Sequence, residues 1–140
     1  MVITEITEVS DLYNLLLEAE RAGVVVLEEL VRQHQEPRLQ TLLARFLRDE
    51  GVNCRILVTL IQHLGKEPSQ KTGAFVEKIR ALGTLEEKIE LLIRGQEWVA
   101  RKIREHRRLL PASSAHLFLE AIKVQHEENV DALKRQSGAD

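Results

Sequence analysis

The chain holds very little that would cross-link, interrupt or anchor a fold. One cysteine in 140 residues excludes an internal disulfide and leaves no partner for a zinc ribbon. Three prolines and seven glycines punctuate it sparsely and leave long uninterrupted segments. The longest apolar run, Ala22 to Leu27, falls far short of the roughly 20 residues that a membrane span requires. Neither charge sign dominates: the formal net charge of −2 offers no bulk attraction to nucleic acid or to a membrane surface. The opening stretch MVITEITEVS carries two glutamates and no basic segment, so it does not read as a signal peptide, and a cytoplasmic location is expected.

What the chain does contain is an ordinary globular balance, 44% apolar and 30% charged. That is enough to bury a real core within one domain, expected to span residues 1–140. Apolar residues recur at helical spacing between the few breakers. Ser10 with Asp11 is a candidate cap for a first helix running to about His34. Pro37 suits the first turn of a second helix, which Gly65 and Pro68 should end. A 19-residue connection, Lys66 to Thr84, follows, and its stretch between Gly73 and Gly83 has room for a short helix. Thr84-Leu85-Glu86-Glu87 matches a capping box for the third long helix. That helix should stop before Pro111, with Ser113 or Ser114 capping a fourth that frays near Gln136.

Short links predict that helices one and two form an antiparallel hairpin, and that helices three and four form another. Helices of about 25 residues are about 38 Å long, and a 19-residue link can span about 60 Å. The expected architecture is therefore all-α: a four-helix bundle of two antiparallel hairpins joined by a long crossover.

At the 3-4 spacing of a bundle seam, every helix shows the same interruption. The first reads Tyr13, Leu16 or Leu17, Glu20, Val24, Leu27, Val31. The second reads Leu39, Leu43, Phe46, Glu50, Asn53, Leu57, Leu60, Leu64. The third reads Leu85, Ile89, Leu92, Gln96, Val99, Ile103, and the fourth Ala115, Leu119, Ile122, His126, Asn129, Leu133. Each seam is apolar except near its middle. Glu20, Glu50, Gln96 and His126 all lie about 15 residues, roughly 22 Å, from their own turn, and so at one height. The spacing repeats as an internal two-fold pattern. Glu20 corresponds to Gln96, and the pair Glu50/Asn53 to the pair His126/Asn129. Other acids fall elsewhere: Glu18 shares a polar stripe with Asn14, Arg21 and Glu28, which reads as a solvated face.

With these residues in place, the chain resembles the ferritin-like superfamily. The stretches LLEAERAG (16–23), RDEGVNC (48–54), PSQKTGAF (68–75), RGQEWV (94–99) and HEEN (126–129) are similar to a small, uncharacterised bacterial ferritin-like family. Di-iron members supply one Glu from each of two helices and a Glu-x-x-His pair from each of the others. Carried over position by position, the resemblance puts Glu20 and Gln96 at the single-carboxylate places. It puts Glu50/Asn53 and His126/Asn129 at the paired ones. Two of four carboxylates are kept, and both histidine places hold asparagine, so the motif is degenerate.

Three readings of this level follow. Glu20, Glu50 and His126 can hold iron, manganese or zinc, with Gln96, Asn53 or Asn129 filling in. The six can instead form a metal-free polar network in an interaction or scaffold protein, with a protonated His126 between the carboxylates. Or they can line a pocket for a small organic ligand. Cys54 reads as a small buried hydrophobe, Trp98 and Tyr13 as packing aromatics. His34, His63, His106 and His116 read as helix-end surface residues. The cluster Arg101, Lys102, Arg104, Arg107 and Arg108 complements a helix C-terminus. Finally, helix one is apolar on more than one face (Leu15 to Leu17, Val24 to Leu27), and a second apolar surface of this kind predicts a homodimer.

Overall fold

The computed structural model describes residues 6–137. Residues 1–5 and 138–140, and with them half of the opening stretch and both ends of the expected domain, lie outside the described residues. The elements are α1 (Val9–Gln33), α2 (Pro37–His63), α3 (Phe75–Arg80), α4 (Leu85–Glu105) and α5 (Ser114–Ser137), with a 3₁₀ turn at Arg107–Leu109. Among the described residues there is no strand, and no helix is long and apolar enough to cross a membrane.

Local chemistry sets most boundaries. Pro37 opens α2, where the Glu36 carboxylate accepts the Leu39 N–H at 2.7 Å, since proline's missing donor costs nothing in a first turn. Gly65, at φ 71°, takes the left-handed conformation that closes a helix without a Cβ clash. Both halves of the Thr84/Glu87 capping box form, each at 3.1 Å. At α1 the cap is Glu8 rather than Ser10. Ser10 sits buried one residue inside the helix, and the Asp11 and Leu12 N–H groups turn back to the Glu8 carbonyl. The α4–α5 link is also longer than the two or three residues expected. Arg108 Nη1 donates to the Glu105 carbonyl at 3.0 Å and His106 Nδ1 to Lys102 O at 2.9 Å. These bonds satisfy the last carbonyls of α4, so the chain tightens into a 3₁₀ turn before α5.

Helix α1 packs along α2 and α4 along α5, while α3 lies against both α1 and α4. The core is two apolar clusters. One gathers Leu27, Leu30, Leu43 and Phe46 with Val76 and Ile79 of α3. The other gathers Leu12, Leu16, Leu57, Ile103 and Leu119. Each seam was legible, but the register drifts toward the helix ends. Gly23, Val26 and Leu30 take the inner places expected for Val24 and Val31. Ile61 replaces Leu60, and Leu64 is 45% exposed. A straight helix turns every 3.6 residues and slips off a strict 3-4 repeat within a few turns.

The polar stripe on α1 is the clearest departure. Asn14 and Glu18, read from the sequence as solvated, grip the connection: Ser69 N–H donates to Asn14 Oδ1 at 2.7 Å and Ser69 Oγ to Glu18 Oε2 at 2.6 Å. Arg21 Nη1 donates to Lys71 O at 2.9 Å. An Arg80–Glu29 ion pair ties down the end of α3. Residues 67–75 thus form a strap along α1. The second apolar face of α1 is half-buried: Val25 packs against the core cluster that includes α3. Among the described residues the large exposed apolar side chains lie instead on α5 (Leu117, Phe118, Val124), on α2 (Val52) and just past its end (Leu64).

Candidate metal centre

Six polar side chains interrupt the core, and all are buried: Glu20, Glu50, Asn53, Gln96, His126 and Asn129. They are the six that the sequence placed at one height. Each lies at an inner position of its helix, α1, α2, α4 or α5, where the apolar periodicity would otherwise put leucine.

Their hydrogen bonds follow the internal two-fold pattern. Within the α1–α2 half, Asn53 Nδ2 donates to Glu20 Oε1 at 2.7 Å. Within the α4–α5 half, Asn129 Nδ2 donates to Gln96 Oε1 at 3.0 Å. Between halves, Gln96 Nε2 donates to Glu50 Oε2 at 2.7 Å, and His126 Nε2 lies 3.0 Å from Glu20 Oε2. His126 Nδ1 donates to the Ile122 carbonyl at 2.8 Å. That bond fixes the ring and directs Nε2 at the carboxylates.

The electrostatics are those of acids crowded out of water. Burial, then the charge of Glu20, push Glu50 up to about 8, against the opposing pull of His126 and the Gln96 hydrogen bond. Burial lowers the basicity of His126, but the charge and hydrogen bond of Glu20, with Glu50 and the Ile122 carbonyl, outweigh it and raise the imidazole to about 9. Glu50 and His126 thus hold their protons to higher pH than they would in water.

Glu20, Glu50 and His126 each offer one ligand atom, and these atoms lie within 4.8 Å of one another. Metal bonds to nitrogen and oxygen are about 2.0–2.2 Å, so the three atoms would draw closer together around an ion, and the buried group is one that could hold a metal. A dinuclear carboxylate centre fits the residues poorly. Only two of its four carboxylates are present, and Asn53 and Asn129 spend their amide N–H groups on Glu20 and Gln96, leaving only a neutral amide oxygen each as a donor to metal.

A family model described as a domain of unknown function, DUF6306, matches residues 7–135, which include the whole site. The chain belongs to the DUF6306 family. No curated protein and no solved structure matches it.

Two residues of this DUF6306 chain serve the site although the sequence reading passed over them. Gln125 Oε1 accepts from Asn53 Nδ2 at 2.8 Å and holds the amide that orients Glu20. Gly23, one turn beyond Glu20, leaves the space that Glu50 fills: a Cβ there would stand 1.9 Å from Glu50 Oε1. The available signal was a glycine inside a helix, where it costs about 1 kcal/mol relative to alanine. Gly23→Ala should forgo that gain, displace the Glu50 carboxylate and lower metal affinity at least about tenfold. Metal titration and thermal melts of the variant check this; a more stable variant with unchanged affinity would show the close approach to be unimportant.

Tyr13 is buried, and Cys54 and Trp98 are partly buried against the same cluster. Burial pushes the Cys54 thiol up to about 12, far from a reactive thiolate. The basic cluster at the end of α4 does more than complement a dipole. Arg104 and Arg107 form ion pairs with Glu127 and Glu120 of α5.

Proposed function

We propose that the chain is a ferritin-like metal-binding protein in which Glu20, Glu50 and His126 hold a single iron, manganese or zinc ion. The observation that carries this reading is the buried triangle of two carboxylates and one imidazole supplied by three helices. Its supports resemble a metal site's outer shell: Nδ1 of His126 is anchored on a carbonyl, and Asn53 and Gln96 each hold an oxygen of a ligating carboxylate. Divalent charge would relieve the crowding that raises Glu50. The pairing of α1 with α2 and of α4 with α5, with the strap between, supports two antiparallel hairpins joined by a crossover. Elemental analysis of protein purified without a His-tag tests the reading, together with melts in added iron, manganese and zinc. Metal-free protein whose Tm no divalent ion shifts would end it.

One observation favours a second reading, a metal-free scaffold. Glu50 is hydrogen-bonded to Gln96, and Glu20 to His126, without an ion. A cationic His126 between carboxylates would then stand in the metal's place.

A cytoplasmic homodimer is part of the proposal, with the contact moved from α1 to α5. The exposed Leu117, Phe118 and Val124 give that helix an apolar outer side of the kind that marks interfaces. Phe118→Glu with Val124→Glu should halve the mass seen by light scattering at tens of micromolar. Wild type that is already monomeric there removes the dimer.

A further inference from the structure

Beside the carboxylates lies a cavity of about 360 Å³ between α1 and α4, roofed by the strap at 72–75. Its inner end is Glu20, Glu50 and Gln96; its walls include Leu15, Ala19, Leu91, Trp98 and Val99. Two glycines shape its lining by letting other side chains in. Gly23 admits Glu50, and Gly95 admits the ring of Phe75, two of whose atoms stand 3.0 Å from where a Cβ would be. Organic-ligand pockets begin at about 300 Å³, so at about 360 Å³ this one is at the small end of their range. The occupant is therefore small, on the order of ten non-hydrogen atoms.

The charges on its lining are unequal. Lys78 and Arg94 line it and are exposed, and neither forms an ion pair among the described residues. The acid among the outer lining residues, Glu18, is engaged by the Ser69 hydroxyl. At the inner end the Gln96 amide is already spent on Glu50, and an anionic head there would face the acid Glu20. An amphiphile thus has one favourable orientation, with its apolar body along the walls and its anionic head at the mouth.

We infer that this cavity binds small aliphatic carboxylates, head group on Lys78 and Arg94 and chain directed toward Glu20 and Glu50. The inference rests on the metal reading for what the bound molecule is there to meet, but its binding does not require the ion.

Trp98 lines the cavity and is the chain's single tryptophan, so it reports occupancy directly. In chelator-treated protein, octanoate should change Trp98 emission saturably at sub-millimolar to millimolar concentration, and octylammonium should not. Lys78→Glu with Arg94→Glu, both on exposed residues, should fold normally by circular dichroism and bind octanoate about tenfold more weakly. No saturable change with octanoate, equal binding of octylammonium, or unchanged affinity in the folded double variant would each overturn the assignment. Because metal is absent from this titration, octanoate binding by a chain that takes no metal keeps the pocket and removes the ion. Metal uptake without octanoate binding does the reverse.

Discussion

His126→Ala should lose stoichiometric metal and about 3–5 kcal/mol of stability, the usual cost of removing one member of a buried ionic group. The loss has an identifiable source. Glu20 and Glu50, both about 1% exposed, would keep their place in the core without the imidazole that meets Glu20 at 3.0 Å. Two carboxylates facing each other out of water force one to stay protonated, at a cost in folding free energy. Replacing all three with Leu or Met should recover that stability or exceed it, because apolar side chains of similar volume often match a buried ionic set. Chemical denaturation of the wild type, the single variant and the triple variant makes the comparison. A triple variant no more stable than His126→Ala would mean that the polar level contributes through packing rather than charge.

The second large effect is a pair of opposed pH dependences. In chelator, the folded chain keeps protons on Glu50 up to about 8 and on His126 up to about 9, whereas their ordinary values are 4.5 and 6.5. The His126 contribution is fully present below 6.5 and is lost as pH rises through 9. The cost of burying Glu50 sets in above 4.5 and is complete near 8. Both signs agree, since the folded state binds more protons than the unfolded one, so Tm should fall from pH 5 to pH 9. Metal must displace those protons, so its stabilising effect should grow over the same range. At one hundred times its Kd an ion adds about 2.7 kcal/mol, roughly 10 °C for a domain of this size. A chelated Tm that rises toward pH 9, or a metal increment larger at pH 5.5 than at 8.5, would contradict the proton inventory of the site.

The polar level was legible in the sequence because helical periodicity is a strong signal. A glutamate where Leu16 and Leu27 fix the inner face stands out, and the recurrence at Gln96 and His126 made one height of four separate anomalies. The end registers were not legible, as Leu64 and Ile61 show, because a fixed 3-4 step accumulates error over seven turns. Asn14 and Glu18 look like any solvated pair until residues 67–71 are known to pass over them, and that passage is a tertiary fact with no periodic trace. Gly23 lay in plain view, but its purpose depends on a carboxylate 27 positions away.

The internal repetition has a consequence for assembly. The two halves, α1 with α2 and α4 with α5, share a pattern but carry opposite chemistry. The first presents two acids, Glu20 and Glu50; the second presents an amide and an imidazole, Gln96 and His126. The contacts of the two acids across the halves each meet a donor: Gln96 with Glu50, and His126 with Glu20. Two copies of the first half would confront four carboxylates in one dry layer, and two copies of the second would confront two imidazoles with no acid between them. A chain severed in the strap would therefore yield fragments that recognise each other and refuse themselves. The polar layer would act as a mating code, favouring the pairing of unlike halves, in which each acid meets a donor.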